Sequence, residues 1–242
     1  SPDGTTWTDQ NSGVNNRLNK VTFENNIFVA VGNQGLILTS QDGTTWIEQN
    51  SGVTTELYGV TFGNDTFVAV GRDGKIFTSP DGTTWTAQNS GIDNRLENVT
   101  FGNDVFVAVG KDGIIISSPD GTTWTEQTSG TTLQLDSVTI GNDTFVVVGA
   151  SGTILTSPDG TTWTAKTSGT TNDLEGVTFG NGLFVAVGNT NFYTSPDGTT
   201  WTEQTSGTAN QFMQVIFVNN TFITTGNSGT ILTSQDGLTW TI

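Results

Sequence analysis

A seven-residue stretch, Ser-Pro-Asp-Gly-Thr-Thr-Trp, opens this chain at Ser1–Trp7 and recurs, with small changes, as far as Trp240. Its copies begin at Ser1, Ser40, Ser79, Ser118, Ser157, Ser195 and Ser234, a spacing of 39 residues broken once by 38. A fixed period near 40 is the mark of repeated supersecondary units, each too small to bury its apolar faces alone. Seven motifs bracket six repeats, so fold and function are both read at the level of the repeat.

The motif is first a turn. Pro presets φ, the Asp carboxylate accepts from backbone amides two residues on, and Gly supplies a left-handed residue. Gln41 and Gln235 replace Pro, while Asp and Gly stand in every copy. This chemistry predicts a three-residue hairpin loop with a bulge. The β-branched and aromatic Thr-Thr-Trp-Thr that follows reads as the strand leaving it.

The second repeat shows the rest of the unit. Leu57–Phe62 spaces its apolar residues by two and ends at the turn Gly63-Asn64-Asp65. Thr66–Val70 is continuously apolar, as in a strand covered on both faces. A loop at Gly71–Gly74 leads to Lys75–Thr78, the turn motif follows, and Thr83–Thr86 is the fourth strand. Four short antiparallel strands in about 39 residues make a propeller blade. The expected fold is an all-β, six-bladed β-propeller, with residues 1–242 as a single domain.

In this fold the pairs Val21/Phe23, Val60/Phe62, Val99/Phe101, Val138/Ile140, Val177/Phe179 and Val215/Phe217 fill the core between blades. Phe28, Phe67, Phe106, Phe145, Phe184 and Phe222 of the second strands join them. The tryptophans cover blade edges. Strands one to three occur six times but the fourth occurs seven times, so either Thr5–Asp9 or Leu238–Ile242 is surplus. A spare strand is a route to self-association.

Missing residue types exclude much chemistry. With no Cys and no His, disulfides, thiolate catalysis, Cys- or His-ligated metals and imidazole proton shuttles cannot be built. Seven Lys and Arg against 23 Asp and Glu leave a formal charge of −16, which repels the phosphate backbone of nucleic acids and anionic membrane surfaces. No apolar run reaches membrane-helix length. Acidic, Cys-free, Thr- and Asn-rich repeats favour an extracellular or cell-surface setting. The sequons at Asn64, Asn98, Asn142 and Asn219 read as turn chemistry.

Ser-x-Asp-Gly-x-Thr-Trp resembles the Asp-box, or BNR repeat, of sialidase-type propellers and of the photosystem II assembly factor family, shortened by one residue between Asp and Gly. The resemblance spans the whole chain and implies a structural turn role for Asp3, Asp42, Asp81, Asp120, Asp159, Asp197 and Asp236. It also implies a ligand face opposite these turns. Sialidases further use an arginine cluster, a tyrosine nucleophile with a carboxylate partner and an acid/base aspartate. This chain offers only Arg17, Arg72 and Arg95, with Tyr58 and Tyr193, at scattered repeat positions.

The opposite face carries the variable loops, where recognition by default resides. Candidate ligand-binding residues there are Arg17, Glu56, Tyr58, Arg72, Arg95 and Asp173, and no catalytic residue is assigned. Glu97, Asp136 and Glu175 share one repeat position and are candidate metal ligands, suited as an acidic arc to Ca²⁺. No other cofactor is expected. The function these features favour is a non-catalytic structural or protein-interaction module, within a larger surface assembly or as an engineered repeat propeller. The alternative is a lectin, from the density of Asn, Thr and Gln with Tyr58, Phe192 and Phe212 near the loops; glycosidase activity ranks below both.

Overall fold

The computed structural model describes residues 1, 4 and 6–241. Strands β1 (Leu18–Glu24), β2 (Ile27–Gly32), β3 (Ile37–Ser40) and β4 (Ile47–Gln49) form blade 1. Blade 2 is β5 (Leu57–Gly63), β6 (Thr66–Gly71), β7 (Ile76–Ser79) and β8 (Thr86–Gln88), and blade 3 is β9 (Leu96–Gly102), β10 (Val105–Gly110), β11 (Ile115–Ser118) and β12 (Thr125–Gln127). Blade 4 is β13 (Leu135–Gly141), β14 (Thr144–Gly149), β15 (Thr153–Ser157) and β16 (Thr164–Lys166); blade 5 is β17 (Gly176–Gly180), β18 (Leu183–Gly188), β19 (Asn191–Ser195) and β20 (Thr202–Thr205). In blade 6, β21 (Phe212–Val218), β22 (Thr221–Gly226) and β23 (Ile231–Ser234) pair in order, and Thr241 bridges to Thr233 in the fourth place.

This is a six-bladed β-propeller architecture, with every pairing antiparallel between strands adjacent in sequence. No helix among the described residues is long and apolar enough to cross a membrane. The chain divides into two compact units, Asp9–Gln127 with blades 1 to 3, and Thr128–Ile242 together with Ser1–Thr8.

Local chemistry sets each hairpin. Asn64 and Asp65 both adopt left-handed backbone, with φ of 46° and 56°, the conformation that matches a two-residue turn to the strand twist. Asn142 and Asn219 occupy the same turn. The fourth sequon asparagine, Asn98, is instead buried on β9, where its side-chain oxygen accepts the Val99 N–H at 2.8 Å.

The Ser-x-Asp-Gly turn is longer than the expected three-residue loop. In blade 2 it occupies residues 80–85 between β7 and β8, and the fourth strand begins after Trp85 rather than at Thr83. The carboxylate is the reason: Asp81 Oδ1 accepts the N–H groups of Thr83 and Thr84 at 2.8 and 2.9 Å, which keeps both amides out of a ladder. Trp85 then turns its indole N–H back to the Gly82 carbonyl at 2.8 Å.

Alternate residues of the second strand face opposite neighbours, which explains its unbroken apolarity. Val68 and Val70, with Ile76, pack on Leu96, Val99, Phe106 and Ala108 of blade 3. Phe67 and Ala69 turn the other way and pack with Val29, Val31 and Ile37 of blade 1. The other unit repeats the scheme at blades 4 and 5, and at blades 5 and 6. Burying a side chain of this size contributes roughly 1.5–3 kcal/mol, so these junctions dominate the stabilisation.

Blade 1 departs from the expected core. Val21 and Phe23 are 54% and 49% exposed, against 3% for Val60. Within its unit no preceding blade supplies the Val-x-Val set that covers the equivalent residues elsewhere. Thr233 and Thr241 exchange backbone hydrogen bonds at 2.8 and 2.9 Å, which puts the C-terminal copy of the fourth strand beside β23.

Candidate functional site

The cations of blades 2 and 3 converge. Between the second and third strands lie the three-residue turns Arg72–Gly74 and Lys111–Gly113, each with a left-handed central aspartate, Asp73 and Asp112. The N–H of Arg72 donates to the Glu56 carbonyl, and that of Lys111 to the Arg95 carbonyl, both at 2.9 Å. Each turn is thereby tied to the loop leading into its own first strand. Gly74 allows the two blades to approach, since its N–H donates to the Asn94 carbonyl at 2.9 Å and a Cβ there would collide with the Ile92 carbonyl.

The result is a cleft of about 490 Å³ lined by Tyr58, Arg72, Asp73, Asp93, Asn94, Arg95, Lys111 and Asp112. Three of the chain's seven Lys and Arg residues line it. Arg95 lies over the Tyr58 ring, 5.5 Å from its centre, and ion-pairs with Glu97. Arg72 pairs with Glu56 at 3.2 Å and approaches Asp73 at 3.8 Å. Asn94 donates to Asp112 at 3.3 Å.

Electrostatics follow the geometry. Burial, then the Glu56 charge, raises the Tyr58 phenol above its ordinary value, so it is a neutral hydroxyl at physiological pH. The Glu56 carboxyl is held below the usual range by its own backbone N–H and then by Arg72. The cleft thus presents guanidinium and ammonium donors beside an uncharged aromatic, with the carboxylates of Asp73, Asp93 and Asp112 in the same lining. Such a surface suits a ligand carrying both a carboxylate and an apolar or amide portion.

The residues singled out from sequence therefore divide. Tyr58, Arg72 and Arg95, from three different repeat positions, meet in one cleft, with Glu56 bound to Arg72. Arg17 lies elsewhere, its carbonyl accepting the Asn33 N–H at 2.9 Å, and Asp173 accepts the Ser151 N–H at 2.8 Å in the other unit. Tyr193, Phe192 and Phe212 are core residues rather than loop aromatics, because the alternation of β19 and β21 turns them into blade junctions.

Lys111, Asp93 and Asp112 were outside the sequence-derived set. The signal for them is the repeat position shared by Asn33, Arg72 and Lys111, read together with that shared by Arg17, Glu56 and Arg95. Those two positions are bonded N–H to carbonyl in each of these blades, so their side chains share a face.

Two of the three acidic-arc residues are engaged locally. Glu97 is paired with Arg95, and Asp136 accepts from the Gln134 amide. Among the described residues no group of three or more carboxylates is placed to hold a metal ion. The turn aspartates take up structural positions: Asp42, Asp81, Asp120, Asp159, Asp197 and Asp236 each accept two backbone N–H groups. Asp3 lies outside the described residues.

No family model matches the chain, and no curated protein does. Among solved structures it is similar to YCF48 bound to D1 peptide, at 18% identity and a TM-score of 0.73 over 93% of this chain and 80% of that one. YCF48 from Cyanidioschyzon merolae gives the same identity and score over 93% and 84%. Virginiamycin B lyase from Staphylococcus aureus aligns at 15% identity with a TM-score of 0.78, over 87% and 78%. At these identities the likeness is one of fold, and the fold is the β-propeller.

Proposed function

We propose that this protein is a non-catalytic interaction module whose cleft at Tyr58, Arg72, Arg95 and Lys111 receives an extended peptide bearing a carboxylate. The observation that carries this reading is that Arg72, Arg95 and Lys111 line one cleft with Tyr58, whose ring Arg95 overlies, in a chain of charge −16. Loops on a rigid β scaffold are where propellers of unlike sequence place recognition. The YCF48 likeness supports the reading, since that propeller is described with a bound peptide.

Catalysis is the weaker reading on the residues themselves. Tyr58 is protonated rather than activated, its cationic neighbour Arg95 is paired with Glu97, and Tyr193 is buried in a core cluster. The likeness to a lyase, at 15% identity, adds only fold.

A carbohydrate ligand is the second reading. It is supported by a separate cleft of about 530 Å³ whose lining includes Asn16, Gln34, Gln49 and Asn50, donors and acceptors suited to sugar hydroxyls. No aromatic ring lines that cleft.

Fluorescence anisotropy with a panel of labelled peptides, each made with free and amidated carboxylates, tests the proposal, and a glycan array runs beside it. Peptide binding lost on amidation and in Arg95→Ala supports the cleft as the site. Binding indifferent to both changes, or glycan binding abolished by Gln34→Ala, would replace it.

A further inference from the structure

The blades act as controls for one another: a residue that the shared fold requires recurs, and a departure has a local cause. In the unit Thr128–Ile242 two departures meet. Lys166, at the end of β16, stands where blades 1, 2, 3 and 5 have Gln49, Gln88, Gln127 and Gln204. Tyr193, on β19, stands where the other five blades have Leu38, Phe77, Ile116, Leu155 and Leu232. Both line one cleft of about 600 Å³, together with Glu203 of β20 and the loop residues Thr171 and Asn172.

The fold makes no use of the Lys166 ammonium. Each of the four equivalent glutamines donates its amide N–H to a Thr or Ser hydroxyl of its own third strand, at 2.8 to 3.2 Å. Among the described residues Lys166 makes neither that bond nor an ion pair, since the ion pairs belong to Arg72 and Arg95. It is also the only Lys or Arg in its unit.

Tyr193 adds a second group. Its side chain belongs to the blade junction and is 3% exposed, yet it lines the cleft. Phe77 fills the equivalent place in blade 2, so what Tyr193 contributes is a phenol hydroxyl, and a hydroxyl at an otherwise apolar position needs a partner. No described residue hydrogen-bonds it, which leaves the cleft to do so.

Glu203 supplies the opposite charge. Asn191, where the other blades have Leu36, Lys75, Ile114, Thr153 and Thr230, donates its amide to this carboxylate and steadies it. Lys166 and Glu203 line the same cleft without pairing with each other, so a positive and a negative group are both open to a ligand.

We propose that this cleft binds a small zwitterion, a free amino acid or a dipeptide, with its carboxylate on Lys166 and its ammonium on Glu203. The Tyr193 hydroxyl and the side chains of Thr171 and Asn172 serve its remaining polar atoms. Net charge favours this class. A chain of charge −16 repels a simple anion at long range, while a molecule neutral overall approaches unopposed and meets both charges at contact. The site shares no residue with the cleft of blades 2 and 3.

Ligand-observed NMR titrations of the whole chain with free amino acids and dipeptides, each also N-acetylated and C-amidated, test this. At least one unblocked member should bind and lose at least about tenfold in affinity on either blocking. Lys166→Gln, which restores the residue of four other blades, should abolish the effect of amidation, and Glu203→Gln the effect of acetylation. Tyr193→Phe should weaken binding about threefold or more. No binding across the panel, or equal binding of blocked and unblocked forms, overturns the proposal. So does binding that Lys166→Gln and Glu203→Gln leave unchanged, or that Arg95→Ala abolishes, because the ligand then sits in the other cleft.

Discussion

Arg95 lies over the ring of Tyr58, 5.5 Å from its centre, although the two residues belong to neighbouring blades. The ring holds the guanidinium plane, and Glu97 on the following strand holds its end. A donor fixed in this way loses little freedom when a carboxylate binds, which is the physical content of preorganisation.

Replacing Arg95 by Ala should weaken peptide binding about tenfold, roughly 1.4 kcal/mol, with little change in melting temperature. Arg95→Lys should recover only part of the loss, since an ammonium keeps the charge but not the planar fork. Anisotropy titrations at low and moderate salt check this; equal affinities for the three proteins would remove Arg95 from the site.

The turn aspartates make stability depend on acid pH. The N–H groups of Thr84 and Thr83 lower the Asp81 carboxyl to about 2. A carboxyl whose folded value lies below its unfolded value, near 4, stabilises fully above the unfolded value and loses that contribution as pH falls through the folded one. Asp81→Asn should therefore cost about 1 kcal/mol at pH 7, a modest figure because the group is exposed and screened. The gap between variant and parent should close between about pH 4 and pH 2. Urea midpoints at three pH values measure it.

Gly63 tests the junction between blades 2 and 3. A Cβ at this position would overlap the ring of Phe101 on the next blade. Gly63→Ala should destabilise by about 1–3 kcal/mol, the usual cost of overpacking, and Phe101→Leu should relieve part of it. A double-mutant cycle on denaturation midpoints reads the coupling.

One substitution at two equivalent positions separates a covered first strand from an uncovered one. Val60→Thr buries a hydroxyl at a site that is 3% exposed and should cost about 1–3 kcal/mol. Val21→Thr, on the open face, should stay within about 0.5 kcal/mol of the parent. Thermal melts of the pair suffice.

The repeat made most of the fold legible. Period, strand order and the paired Asn-Asp turns were all local, written in residues a few positions apart. The length of the Ser-x-Asp-Gly turn was not, because its outcome depends on one carboxylate oxygen taking two amides that strand propensity alone would place in a ladder. The exposure of Val21 was less visible: Val21 and Phe23 repeat Val60 and Phe62, and the only local signs are Lys20 and Glu24 where the covered strand has Gly59 and Gly63. The cleft was half visible. Tyr58, Arg72 and Arg95 stand at three repeat positions, and their convergence depends on the backbone bonds from Arg72 to Glu56 and from Lys111 to Arg95.

The Gly63–Phe101 relation recurs as Gly141 with Phe179 and Gly180 with Phe217, and it gives the chain a grammar for gaining and losing blades. What these three junctions share is a socket on one repeat and a plug on the next, so the heritable module there is the junction rather than the blade. A crossover between repeats that leaves a glycine ahead of a phenylalanine changes the number of blades without unsettling any neighbour. The junction of blades 1 and 2 departs from this scheme, with Glu24 at the glycine's position ahead of Phe62.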